Sequence, residues 1–525
     1  METIFKKDGK PIFALGGQSH NSTTCNPRDL EVFWKALETL NANTAEIPVY
    51  WETIEPEEGR FDFSCVDMLF EQARAHGKYL VLLWFGTWKN GGMRYVPAWV
   101  KQDCARFQRV VSHEGNRLFV LSSHCEENLR ADQTAFCALM EHLKAVNTDG
   151  TLLSVQVENE AGIAGRSYRD FSPAGEQDYQ APVPDGLLDT LERTPESQLY
   201  AQWKRMGLPR GKGWGETFGV KNGAENLTAY SVADYINSIA KAGKAVYDLP
   251  LYVNVALDGN PWGWNLAGTN YTAGGPIPRL YEIWKYATPD IDLLAPDIYF
   301  DCTSVYTDVC RRYSNGQNAL FIPESSSSGL GGNPKNMYYA AGTYGAIGLA
   351  AFGIEDILAP EGNVKEDRRP LVDTFQSLSH ALPLLVKYRL TGRIHSVVQE
   401  EYEGGTLFET EKYLVNVDYS SGNSTNFIHR ALGNPPSRAR GLIIEAAPDE
   451  FYVLGSDFTV YFAPKDDIFY SEDRVTNHMP YLFVEEGHFD GEETWVTDRT
   501  RTGDECDHGI WVYAENRVVH TVLCP

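Results

Sequence analysis

Val155-Gln156-Val157-Glu158-Asn159-Glu160-Ala161-Gly162 is the stretch from which the rest of the chain is read. Its apolar residues alternate as a strand's do. The run ends in two carboxylates and an amide, then enters a glycine-bearing loop. Charge at the end of a buried strand is costly unless it is paired or used. Such crowding marks a place where protons move. A counterpart lies far downstream, where Ala319-Leu320-Phe321-Ile322-Pro323-Glu324 is another short apolar run ending in a carboxylate. Two strand-terminal glutamates with a long α/β pattern between them fit a barrel. There, residues at the C-terminal ends of different strands converge on one mouth.

Working outward, strands are expected at 11–17, 44–51, 79–85, 152–158, 251–255, within 291–300, at 319–323 and at 347–355. Helical segments such as 30–40, 70–76 and 135–146 separate them. Eight strands so spaced predict a (β/α)8 TIM barrel over residues 1–388, with a long polar, proline-bearing insertion near 166–223. A doubly wound sheet is the competitor, but Gly16-Gly17-Gln18-Ser19-His20 is a poor phosphate turn. From residue 389 the texture changes to short strands between turns, at 394–399, 413–417, 441–445 and 450–455. These predict a C-terminal β-sandwich domain over 389–525.

The chain has 525 residues, 71 of them acidic and 46 basic, for a formal net charge of −25. That field repels nucleic acid and anionic membrane and favours neutral ligands. No apolar run is long enough to span a bilayer. The nine cysteines are odd in number and form no C-x-x-C. They suit reduced thiols in a cytoplasmic protein, and the charged start Met1-Glu2-Thr3-Ile4-Phe5-Lys6-Lys7-Asp8 is unlike a signal peptide. The histidines make neither H-x-H nor H-E-x-x-H, so neither metal nor cofactor is expected. The composition is compatible with a homo-oligomer.

Cleaving a glycoside with retention needs two carboxyl groups about 5–5.5 Å apart, one protonated and one ionised. Glu160 and Glu324 would face each other across the mouth in this way. Strand alternation raises a difficulty, since it puts Glu158 and Glu160 on one face and Asn159 on the other. Asn159 and Glu160 both reach the mouth only if the pleat breaks, so a bulge is expected at the strand end. Glu158 then lies buried and hydrogen-bonded, and it is the alternative acid/base.

Three stretches resemble glycoside hydrolase family 35, the β-galactosidase family, within the clan of barrel-fold retaining glycosidases. They are 155–162, Val49-Tyr50-Trp51-Glu52-Thr53-Ile54-Glu55-Pro56-Glu57-Glu58-Gly59-Arg60-Phe61-Asp62-Phe63, and, more loosely, Phe321-Ile322-Pro323-Glu324. The C-terminal part, with Ala439-Arg440-Gly441-Leu442-Ile443-Ile444-Glu445, resembles a domain of undefined function attached to a bacterial branch of these enzymes. The resemblance implies that Glu160 is the general acid/base and Glu324 the nucleophile. Asn159 would hold the sugar 2-hydroxyl, and Tyr299 would steady the nucleophile. The chain departs from the family after strand three. Where a carboxylate is usual, it carries Trp84-Phe85-Gly86-Thr87-Trp88-Lys89-Asn90-Gly91-Gly92. Lys89, Asn90 or Glu355 could supply hydroxyl contacts there instead.

Other candidates weigh against ordinary structural duties. One of Tyr50 and Trp51 is expected to point into the mouth. Trp84, Trp88, Trp262, Trp264 and Tyr271 are candidates to stack on sugar faces, or are simply core. Gln18 and His20 follow strand one, where a lone histidine is ordinarily structural. Asn254 and Asp297 end strands and either bind or buttress. The expected substrate is a small oligosaccharide or glycoside, and the expected activity that of a retaining exo-β-glycosidase, foremost a β-galactosidase. A transglycosylase or β-glucosidase using the same pair is the alternative, and a non-catalytic carbohydrate-binding barrel the third reading.

Overall fold

The computed structural model describes residues 2–259, 265–419, 438–465, 481–490, 493–506, 509–513 and 517–524. Eight parallel strands form one sheet: β1 (Ala14–Gln18), β2 (Thr44–Tyr50), β3 (Tyr79–Lys89), β4 (Leu152–Asn159), β5 (Leu251–Ala256), β6 (Leu293–Asp297), β7 (Phe321–Ile322) and β8 (Gly348–Phe352). Their order is β6-β5-β4-β3-β2-β1-β8-β7. The two ends of the sheet meet through a parallel bridge between Ile298 and Ser325. There the Ile298 N–H donates to the Glu324 carbonyl at 2.9 Å. The sheet is thus a nearly closed barrel, as expected.

Both faces of these strands are buried, which is why they read as unbroken apolar runs. On β3, Leu80, Leu82 and Trp84 face the helices, while Val81, Leu83 and Phe85 fill the lumen. Phe5 enters that lumen from the N-terminal segment, 4.9 Å from the Phe321 ring. Its full burial contributes about 1.5–3 kcal/mol. Around the sheet lie α1 (Pro27–Thr39), α2 (Ser64–Ala75), α3 (Glu126–Val146) and α4 (Val220–Val246), among others. Pro27 takes the first turn of α1, where its missing N–H costs nothing.

Three details differ from the sequence expectation. β3 runs on to Lys89 rather than stopping at residue 85. The polar insertion, where the sequence reading places no element, carries four short helices, Pro173–Gln180, Asp185–Arg193, Gln198–Arg205 and Trp214–Phe218. β7 has only two residues.

Beyond α-helical Leu382–Tyr388 the described strands are β9 (Ile394–Val398), β10 (Gly405–Glu409), β11 (Tyr413–Asp418), β12 (Arg440–Ala447), β13 (Glu450–Ser456), β14 (Phe458–Pro464), β15 (Tyr481–Phe489), β16 (Trp495–Arg501), β17 (Ile510–Val512) and β18 (Val518–Leu523). They form a six-stranded sheet, β9-β12-β13-β18-β15-β16, and a four-stranded one, β10-β11-β14-β17. The period of two fixes the larger sheet's partners. Leu442, Ile444, Tyr452 and Leu454 join the core that surrounds the barrel. Ile443, Phe451 and Val453 point the other way, into the core between the sheets. Among the described residues no helix is long and apolar enough to cross a membrane.

Candidate active site

The pleat of β4 breaks at its end. Glu158 has φ +65° and Glu160 φ +44°, a left-handed backbone uncommon for residues with a side chain. The ladder with β3 slips between the pairs Trp84–Val157 and Lys89–Asn159. This irregularity sends three consecutive side chains to different duties. Glu158 turns toward the helices, accepting from the Thr87 and Trp88 amides at 3.1 and 2.6 Å. Asn159 turns to the mouth, its Nδ2 3.3 Å from Glu324 Oε1. Glu160 follows, its N–H donating to Asn254 Oδ1 at 2.8 Å.

A tight turn in the departing segment clamps this end. Asn90 and Gly91 both have positive φ, +51° and +64°. Their amides donate to the carbonyls of Asn159 at 3.2 Å and Glu160 at 3.1 Å. A β-carbon at Gly91 would come within 2.9 Å of the Ala164 nitrogen, so the close approach requires glycine.

Glu324 leaves β7 buried, at 5% exposure. The Tyr299 hydroxyl donates to its Oε2 at 2.9 Å. Asn254 Nδ2 lies 3.4 Å from its Oε1 and also donates to Asp297 Oδ2 at 2.8 Å. Asn254 therefore touches Glu324, Asp297 and the backbone of Glu160 at once.

The electrostatics separate the carboxyl groups. Burial, then the nearby Glu324, pushes the Glu160 carboxyl up to about 7; Lys89 and Asp297 pull it back. Burial, Glu324 and Glu160 hold Asp297 well above the usual carboxylate range. Burial and Glu324 do the same to Glu46, deep on β2. Burial, reinforced by Glu324, raises the Tyr299 phenol, which keeps it a donor. The groups around Glu324 thus favour their protonated forms. In this set Glu160, raised to about 7, is the candidate proton donor and Glu324 the candidate nucleophile.

The structure brings together Glu160, Glu324, Asn159 and Tyr299. The other expected contacts need correction. Tyr50 is buried, stacked on Tyr95 at 4.6 Å, and its hydroxyl is taken by the Asn21 carbonyl. Trp51 is packed in the helix-side core with Nε1 on Glu55 Oε2 at 2.9 Å. Trp84 faces α3, its Nε1 donating to Asp132 at 3.0 Å. Trp88 packs edge-on against Tyr235 of α4 at 4.9 Å. These aromatics occupy the helix-facing or lumen core, where a two-sided strand needs volume. Asn90 acts through its backbone. Glu355 accepts from the His20 amide at 3.1 Å and from Thr23 Oγ1 at 2.6 Å, so it ties the loops after β8 and β1 together. His20 Nε2 lies 3.3 Å from Asp356. Gln18 is buried in the lumen, registered beside Glu46. Tyr271 is held by Glu225 at 3.0 Å. Trp262 and Trp264 lie outside the described residues.

Sequence reasoning missed Glu46 and the bond from Lys89 to Asn159. A glutamate inside the apolar run 44–50 was the available signal for the first. The second had none.

Comparison with known proteins adds to this geometry. Residues 28–219 match the model of glycoside hydrolase family 42, described as beta-galactosidase. Residues 371–513 match a domain of unknown function, DUF5597. A beta-galactosidase of Xanthomonas manihotis is 31% identical over 181 residues, 32% of this chain and 26% of the relative. The chain thus spans about a quarter of that curated relative. Among solved structures, a beta-galactosidase from Bacillus circulans sp. alkalophilus superposes with a TM-score of 0.51 at 15% identity, over 74% of this chain and 58% of that one. The cold-adapted beta-galactosidase from Rahnella sp. R3 gives 0.50 at 16%, over 73% and 58%. The catalytic domain of a beta-amylase from Paenibacillus polymyxa gives 0.50 at 12%, over 69% and 98%. At these identities the structural likeness carries the barrel fold and nothing finer.

Proposed function

We propose that the chain is a retaining exo-β-glycosidase acting on β-galactosides, with Glu324 as nucleophile and Glu160 as general acid/base. One observation carries the reading. Asn254 contacts the Glu324 carboxylate and the Glu160 backbone together, and the Glu324 charge acts on the Glu160 carboxyl, which supports two glutamates serving one sugar ring. The sequence matches to beta-galactosidases support the substrate.

The chemistry runs in two displacements. A Glu324 oxygen attacks the anomeric carbon while protonated Glu160 gives its proton to the departing oxygen. The glycosyl-enzyme ester forms as the glycosidic bond breaks. Glu160, now ionised, takes a proton from water, whose oxygen displaces Glu324. Tyr299 holds the nucleophile's orientation, and Asn159 is set to bond the sugar 2-hydroxyl.

The finer assignments belong to the same proposal. The signature at 155–162 resembles family 35, whereas the model matched over 28–219 is that of family 42. The longer match supports family 42, and β-galactoside hydrolysis is common to both descriptions. Two domains, 1–388 and 389–525, and a cytoplasmic location complete the reading. The free thiols among the described cysteines support a reducing compartment.

Nitrophenyl galactoside, glucoside, fucoside and arabinoside, assayed side by side, test the substrate. Fast release from the galactoside is expected, and release only from another sugar overturns the assignment. Proton NMR of the first-formed sugar should reveal the β-anomer, and an α-anomer would end the double-displacement mechanism. Product analysis with an added sugar acceptor separates hydrolysis from glycosyl transfer.

A further inference from the structure

At the end of β3, where the related enzymes are expected to carry a carboxylate, stands the buried side chain of Lys89, at 5% exposure. Its Nζ donates to Asn159 Oδ1 at 2.8 Å and lies 4.9 Å from the Phe85 ring centroid. We propose that Lys89 is a positioning residue, whose ammonium locks the Asn159 amide in one orientation and counter-charges the carboxyl of Glu160. The proposal rests on the glycosidase reading for its role in turnover.

The amide argument follows from donor and acceptor chemistry. An ammonium only donates and a carboxylate only accepts. Asn159 sits between the two, with Lys89 on one side and Glu324 Oε1 on the other, 3.3 Å from Nδ2. Only one flip satisfies both. That flip presents an N–H to the nucleophile's side of the mouth, where a 2-hydroxyl would lie. Without the ammonium, only the longer 3.3 Å contact to Glu324 selects the orientation, and the shorter, charge-assisted partner on the other side is lost.

The charge argument starts from the same geometry, since the ammonium lies 2.8 Å from Asn159, the residue directly before Glu160. The ionisable groups that act on Glu160 are Glu324 and Asp297, the Tyr299 phenol and Lys89. Lys89 is the cation in that set. The carboxyl of Glu324 and burial favour protonated Glu160, and the ammonium opposes them. A general acid that must donate in one step and accept in the next works best when neither form is too stable. Lys89 keeps Glu160 able to do both.

The test compares K89M, which removes the charge and keeps the length, with K89R, which keeps both charge and donation. Each is assayed across pH with phenyl β-D-galactoside, whose poor leaving group needs the proton. Glu160 is also titrated directly, by carbon-13 carboxyl NMR in the full-length protein. For K89M, kcat falls about tenfold with KM little changed. The alkaline limb and the Glu160 titration both move up by about one pH unit, the size expected for loss of a close opposite charge. K89R leaves the limb near its original position. If K89M does not fold, K89Q takes its place in both measurements. Loss of activity with the limb and titration unmoved overturns the proposal, because that is what a merely packing lysine would do. Wild-type values in K89M overturn it as well. A wild-type chain that hydrolyses no aryl glycoside sinks the glycosidase reading instead, and the NMR titration still decides whether Lys89 governs Glu160.

Discussion

Glu158 and Glu160 are separated by one residue and live in opposite environments. Both are raised above the ordinary carboxylate range, Glu158 by burial and the Asp132 charge, Glu160 by burial and Glu324. Glu158 and Asp132 form a closed pair beneath α3. The Trp84 indole, the Thr87 amide and hydroxyl, and the Trp88 amide all donate into it. Glu160 stands half-buried beside Glu324, Asp297 and Lys89, with no backbone amide donating into its carboxyl among the contacts that shift it. A perturbed carboxyl is therefore no sign of catalysis by itself. What separates the two sites is how fully their oxygens are satisfied and whether a substrate can reach them.

That contrast can be broken or sharpened by substitution. The largest effect is expected from Glu324→Gln, which should abolish turnover. An activated fluorosugar should label Glu324 in the parent protein, and a label elsewhere would transfer the role. Next comes Glu160→Ala. It should slow substrates with poor leaving groups by orders of magnitude more than those with good ones, because only the former need a proton. In the parent protein kcat/KM should fall as pH rises through about 7, since the proton that Glu160 is proposed to donate is lost there. A limb that survives in Glu160→Ala would belong to another group.

Glu158→Gln should act mainly on stability. Each Glu158 oxygen accepts a backbone N–H, and a glutamine would turn an NH2 against one of them. The unsatisfied donor costs about 1–3 kcal/mol, readable by urea denaturation, while the alkaline limb stays in place. A moved limb would make Glu158 part of the proton chemistry. The smallest effect on turnover is expected from Glu46→Gln. A buried carboxyl with a raised folded-state pKa binds its proton more tightly folded than unfolded. Its contribution to stability therefore declines as pH rises above the unfolded carboxylate range. The variant should lack that decline, so its melting temperature should gain on the parent's toward alkaline pH. Parallel melting curves at all pH values would show that Glu46 is not buried as a proton-bearing group.

The barrel was legible because parallel strands covered on both sides leave apolar runs that turn and helix signals separate. Glu160 and Glu324 were legible because each is a charge at the end of such a run. The same two-sidedness hid the aromatics. Trp84 and Tyr50 sit in strands whose faces are equally apolar, so residue type could not say which face was the mouth. Lys89 and Asn159 lie 70 residues apart in the chain, and their contact depends on the broken pleat of β4. The expected bulge gave the directions of Glu158, Asn159 and Glu160, but not the side chain that Asn159 would meet. β7 is shorter than its apolar run because Ala319, Leu320 and Pro323 are as apolar as Phe321 and Ile322 yet lie outside its ladder.

The bridge between Ile298 and Ser325 has a mechanical meaning. It closes the cylinder where the staves are shortest, and the proposed nucleophile stands at that join with Tyr299 on the facing stave. Any breathing of the barrel there would part Tyr299 from Glu324 before it disturbed the rest of the wall. Deuterium uptake at the Ile298 amide would time that opening, and a bound glycosyl group spanning the join would act as its rivet.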